Sequence, residues 1–224
     1  MRPTRLDDFF GHERILAPGK PLRQWIENDE VPSLIFWGPP GCGKTTLAEL
    51  ISRHTRSHFE QLSALQAGVK EIKEVAARAR EVQKLGQKKT LLFLDEIQHL
   101  NKSQQDALLP RVEEGIFTLR GSTTENPSFE INSALLSCPR VIRLEALVSD
   151  STAQALSRAL IDPLRGLGGL FELTSDALEW LAKTSEGDVR KALSSRSIAG
   201  CDSREAILPG FLSEDNFPFK AVFE

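Results

Sequence analysis

The stretch GPPGCGKT, residues 38–45, decides how this chain reads. It fits GxxxxGK[ST] in the context that pattern needs. The apolar run LIFW (34–37) before it reads as a strand, and the residues after it keep an apolar helical face through Leu47, Leu50 and Ile51. Glycines let backbone N–H groups converge on phosphate oxygens, and the start of a helix adds partial positive charge. Lys44 reaches the outer phosphates and Thr45 offers a hydroxyl to Mg2+. Gly38, Pro39, Pro40, Gly41, Cys42, Gly43, Lys44, Thr45 and Thr46 therefore form the candidate cradle for ATP or GTP. The bland alternative is a glycine-rich turn with an exposed lysine.

A second element lies downstream, where LLFL (91–94) delivers Asp95 and Glu96 to a strand end. A parallel strand buried on both faces reads as such a continuous apolar run, and ligands of these sheets sit beyond its carboxyl end. Asp95 would join the Mg2+ shell, and Glu96 would orient and partly deprotonate the attacking water. Two acids capping the next helix would be the structural reading.

Around these motifs, short apolar runs alternate with longer amphipathic ones, as in βα units on a mainly parallel sheet. Strands are expected at LIFW (34–37), HFEQL (58–62), TLLFLDE (90–96), IFTLRG (116–121) and VIRL (141–144). Val69, Ile72, Val75, Ala76, Ala79 and Val82 make one helical stripe that packs on a sheet face. Beyond Glu145 strand signals fade. STAQALSRALI and SDALEWLAK read as helices, followed by a third from Gly187 to about Ala199. The expected organisation is an α/β nucleotide-binding domain over 1–145, a small helical lid over 146–200 and an irregular tail over 201–224.

Composition bounds the rest. A chain of 224 residues, 40% apolar, can fill one α/β core and a small satellite. No stretch approaches a membrane span or a signal peptide, which predicts an intracellular protein with no membrane partner. Cys42, Cys138 and Cys201 are too few and scattered for a disulfide framework or a zinc site. A net charge of -3 argues against a wholly basic nucleic-acid surface, though a local patch or a ring of subunits would escape that argument. Trp25, Trp37 and Trp180 read as packing residues rather than base-stacking platforms.

GPPGCGKTT (38–46), LLFLDEIQHLNKSQQDALLPRVEEG (91–115) and STTENPSFEINSALLS (122–137) resemble the AAA+ ATPases of the replication-associated recombination protein A group. RPTRLDDFFGHERILAPGKPL (2–22), FEQLSALQAGVKEI (59–72) and GDVRKAL (187–193) match as well, so the resemblance covers about residues 2–193. The TTENPSF phrase is specific to that group. Clamp loaders and the Holliday-junction motor RuvB share the nucleotide-binding elements without it.

The resemblance implies an AAA+ fold, a five-stranded parallel sheet flanked by helices with a helical lid. It implies an ATPase using ATP and Mg2+ in DNA replication, recombination and repair, at stalled forks or single-stranded DNA, among replication and repair proteins. The location implied is cytoplasmic, on the nucleoid if bacterial. By matched motif, Thr124 takes the sensor 1 position, whose hydroxyl positions water or the γ-phosphate. Arg190 in GDVR takes sensor 2, reaching the nucleotide from the lid. A cation in a helix's first turn is disfavoured by the dipole, so Arg190 wants an anion, from the nucleotide or from Glu186 or Asp188. Phe10, Gly11 and His12 match the segment near the adenine, where the family commonly has Gln at position 12; a solvated turn is the alternative.

Departures from the family pattern bear on turnover. The residue after LLS is an arginine in the family, the finger that enters a neighbouring subunit's site; here it is Cys138. Arg140 matches a second family arginine. Arg120 falls in the fourth strand where the family has an aliphatic residue, and burying an unpaired charge there costs several kcal/mol. Arg196 falls on the apolar stripe of the third lid helix, with Ala192, Leu193 and Ala199. The family continues into a C-terminal helical region associated with tetramers, so a homo-oligomer is implied by the family but left open for this chain. The alternative function is a nucleotide-binding regulatory or scaffold paralogue with little hydrolysis.

Overall fold

The computed structural model describes residues 2–55, 57–86, 89–163, 171–193 and 219–221, with 171–173 and 219–221 as backbone course only. It divides into two compact units. One holds Thr4–Leu6 and His12–Glu145, the other Met1–Pro3, Asp7–Gly11 and Ala146–Glu224.

The first unit is a five-stranded parallel sheet. Its strands are β1 (Leu34–Trp37), β2 (His58–Ser63), β3 (Thr90–Asp95), β4 (Thr118–Thr123) and β5 (Arg140–Arg143), in the spatial order β2-β3-β4-β1-β5. Short helices α1 (Glu13–Leu16) and α2 (Pro21–Glu27) precede it; α3 (Lys44–His54), α4 (Val69–Lys84), α5 (Lys102–Glu113), α6 (Pro127–Glu130) and α7 (Ser133–Ser137) connect its strands. The order follows from burial. The apolar runs of β1 and β3, with the buried but largely polar β4 between them, occupy the centre, where both faces need cover. HFEQLS and RVIR, with charges, form the edges, where charge deters pairing with another chain.

The α4 stripe docks as its periodicity predicts. Ile72, Val75, Ala76 and Ala79 are buried against Ile35, Leu92, Leu94 and Leu119. α5 starts on a capping box in which the Asn101 side chain accepts from the Gln104 N–H and the Gln104 side chain accepts from the Asn101 N–H. The buried amide of Gln105 then donates to Leu100 O and Glu130 O and accepts from the Asn132 N–H, tying α5 to the α6–α7 segment.

Several expected strands shift at their ends, β2 running to Ser63 and β5 over Arg140–Arg143, and the shifts of β4 and β3 bear on the site. IFTLRG places the fourth strand at 116–121, whereas pairing runs over Thr118–Thr123. Ile116 and Phe117 are core residues, but the Ile116 N–H bonds Arg111 O at the end of α5, so their apolarity marks burial rather than ladder pairing. Glu96 is not the last residue of β3. It takes a left-handed conformation at φ 54, which ends the strand at Asp95.

In the second unit, α8 (Ser149–Ile161), α9 (Ser175–Thr184) and a helix over 189–193 meet through Leu156, Leu181 and Ala192, with Leu178 and Leu193 at the margin. Arg158 pairs with Asp8. Strands are present where none is expected: β6 (Phe171–Leu173) pairs antiparallel with β7 (Phe219–Ala221). The tail read as irregular thus contributes a strand, too short for periodicity to register. Trp180, expected to pack, is 40% exposed. Arg196, Ala199 and Cys201 lie outside the described residues.

Candidate functional site

Parallel strands bring their carboxyl ends together. The register Trp37↔Thr123 and Leu94↔Gly121 sets the ends of β1 and β3 on either side of β4, so the loop after β1 and the acids after β3 share one rim of the sheet. Hydrogen bonds make that rim continuous. Gly38 N–H donates to Thr123 O at 3.2 Å, and the Ser122 hydroxyl donates to Asp95 Oδ1 while accepting from the Glu96 N–H at 3.3 Å.

The loop is held by its own unit's backbone. A Cβ on Gly38 would lie 2.1 Å from Leu144 O, so only glycine lets β1 and the chain after β5 converge there. Gly41 and Gly43 take φ of 70 and 99, and no side chain caps α3, whose first-turn N–H groups are left for an anion. Lys44 is 8% exposed and its ammonium donates to Gly38 O at 2.8 Å and Pro39 O at 2.9 Å, curled inside the loop. Pro39 and Pro40 are exposed; Gly41, Thr45 and Thr46 are half-buried; Cys42 is buried.

His12 is no solvated turn. It is 5% exposed, and its Nε2–H donates to Cys42 O at 2.9 Å, bolting the chain before α1 to the loop. Burial, the largest influence, lowers its pKa from 6.5 against the opposing bond to Cys42. Gly11 belongs to the second unit, with φ 82 and close neighbours Leu147 and Ser151.

Among the acids, Asp95 and Glu96 are half-buried, and Gln98 Nε2 donates to Glu96 Oε2 at 2.6 Å. Thr124 follows β4 directly and is half-buried. The deeper Thr123 hydroxyl organises the following turn, accepting from the Glu125 N–H at 3.0 Å. Arg140 opens β5 paired with Leu34, at the end of the sheet opposite the loop, and its side chain is exposed. Cys138 ends α7. Arg190 belongs to the second unit, exposed in the first turn of the 189–193 helix; Asp188 accepts from the Lys191 N–H as a cap, and neither Asp188 nor Glu186 pairs with Arg190. Sequence reasoning passed over Ser122 and Gln98, whose types carry no signal until a neighbouring strand or turn brings a partner.

Arg120 is the outlier of the unit. It is 1% exposed in β4, its guanidinium donating to Pro32 O, Leu119 O and Val31 O, with Nε unsatisfied. No carboxylate pairs with it among the described residues, and burial pushes its pKa down to about 9.

Comparison with known proteins agrees with this geometry. Residues 34–145 match the family "ATPase family associated with various cellular activities (AAA)". The chain is 48% identical over 194 residues to the replication-associated recombination protein A of Haemophilus influenzae, covering 86% of this chain and 43% of the relative, and to the Escherichia coli protein at the same figures. The chain thus spans less than half the length of these relatives. Among solved structures, the Thermotoga maritima RuvB Holliday junction branch migration motor superposes with a TM-score of 0.71 at 26% identity, over 89% of this chain and 66% of that one. By its strand order, its phosphate-binding loop and these matches, the chain belongs to the AAA family of ATPases.

Proposed function

We propose that the chain is the ATP-hydrolysing module of a protein of replication-associated recombination and repair, acting at stalled forks or single-stranded DNA alongside replication and repair proteins in the cytoplasm. The supporting observation is the bonded rim from Gly38 through Thr123 and Ser122 to Asp95, which puts a phosphate cradle and two carboxylates on one edge.

The residues fit a nucleotide with Mg2+. The loop carries a glycine that no other residue replaces, an uncapped helix start and an inward lysine. No group of three His, Cys, Asp or Glu stands ready for a metal among the described residues, so Thr45 and Asp95 would hold the ion with phosphates and water completing the shell, as suits Mg2+. When bound, the ion neutralises charge on the phosphates during transfer.

The chain's own groups do the rest. Lys44 exchanges its carbonyl partners for phosphate oxygens, and Glu96 accepts a proton from the attacking water once Gln98 yields the carboxylate. Thr124 orients that water or the γ-phosphate. Gly11 and His12 flank the base, and Arg190 reaches the phosphates from the lid. Arg140, at the far end of its own sheet, serves only a neighbouring copy in a homo-oligomer.

A second reading rests on Cys138, which lacks the guanidinium of the finger position: a nucleotide-binding regulatory or scaffold protein that hydrolyses slowly. Steady-state ATP hydrolysis with and without single-stranded DNA, beside equilibrium binding of a fluorescent ATP analogue, separates the two. DNA-stimulated turnover supports the first; binding without turnover supports the second; no binding sinks both.

A further inference from the structure

Ser122 is fully buried in β4, the strand between the phosphate loop and the acids, and links that rim through one hydroxyl. A hydroxyl offers one donor and two acceptor positions. Here the donor is spent on Asp95 Oδ1 and an acceptor on the Glu96 N–H. Both bonds answer a local need. Glu96 has turned left-handed, a conformation that is strained for a non-glycine residue and takes its N–H off the β3 ladder. Asp95 ends the strand with its carboxylate at the rim, and Ser122 is its side-chain partner among the described residues. An alanine would leave the carboxylate free to rotate and the part-buried Glu96 N–H without its partner.

We propose that Ser122 is a positioning residue of the nucleotide site. Its single hydroxyl sets the rotamer of the Mg2+-side carboxylate, Asp95, and fixes the backbone turn that aims Glu96. The inference rests on the proposed reading of the site as Mg2+- and ATP-binding. One donor bond to Oδ1 leaves Oδ2 for the ion, so the hydroxyl preorganises a ligand without competing for it.

The test is binding of a fluorescent ATP analogue by the chain and its Ser122→Ala variant, in EDTA and along a Mg2+ titration. The expected result is unchanged affinity in EDTA, with the Mg2+ concentration for half-saturation raised about tenfold or more, the scale of a lost charge-assisted bond. Should Ser122→Ala fail to fold, the isosteric pair Ser122→Thr and Ser122→Val replaces it. Threonine, keeping the hydroxyl, is expected to titrate like the unsubstituted chain, and valine to show the shift. An unshifted Mg2+ titration in a folded variant overturns the inference alone, as does equal weakening with and without Mg2+, the mark of a merely structural role. Absence of nucleotide binding by the unsubstituted chain overturns the site reading and the inference with it.

Discussion

A single histidine shows how the site is tied to the fold. His12 holds Cys42 O through an Nε2–H that a neutral ring already carries, so protonation brings a buried charge and no new bond to this carbonyl. Its pKa lies below 6.5 in the folded protein and near 6.5 unfolded. Between those values the unfolded chain binds more protons, so stability is complete above the unfolded pKa and falls as pH drops below it. His12→Gln keeps an N–H donor for Cys42 O and removes the titration. The melting temperature of the variant, measured from pH 7.5 downward at about half-unit steps, is expected to fall less steeply than that of the unsubstituted chain. Parallel curves would mean that another group carries the acid sensitivity.

At the scale of elements, β4 concentrates the tension between pairing and charge. It lies at the centre of the sheet, between β3 and β1, yet carries Arg120 opposite Phe93 and Leu34. The guanidinium survives by donating to the carbonyls of Val31, Pro32 and Leu119, with no carboxylate partner among the described residues and one orphaned N–H. Val31 and Pro32 are half-exposed, so water can replace the arginine there. Arg120→Leu is therefore expected to raise the unfolding free energy by about 1–3 kcal/mol, read from urea melts. A loss instead would show that the carbonyl bonds outweigh the buried charge. Sequence foretold both the anomaly at Arg120 and the architecture around it, because burial on two faces leaves apolar runs and a phosphate loop leaves glycines. It missed what depends on strand neighbours. The shift of β4 to Thr118–Thr123, the left-handed turn at Glu96 and the Ser122 bond all depend on which strand lies beside which. The β6–β7 pair joins segments far apart in the chain, beyond the reach of any local pattern.

For the whole molecule the open chemical term is the trans arginine. β5 is parallel to β1 and begins with Arg140 beside Leu34, so this arginine starts at the end of the sheet away from Lys44 and does not serve its own loop. In the proposed homo-oligomer a neighbouring copy would present it. Cys138, where the family resemblance puts a finger arginine, caps α7 on the α6–α7 segment that Gln105 ties to α5, and its side chain is too short and uncharged for that task. A trans arginine contributes roughly 10^3 to 10^5 in turnover where related phosphoryl transfer depends on it, about 4 to 7 kcal/mol of barrier. Cys138→Arg is therefore expected to raise ATP turnover per chain by at least about tenfold, with the gain growing with protein concentration as copies meet, while affinity for the ATP analogue stays within about twofold. A gain independent of concentration would place the new arginine in its own site. An unchanged rate in a variant shown by sedimentation to be oligomeric would remove the finger argument and leave the slow, nucleotide-gated reading as the better account of the chain.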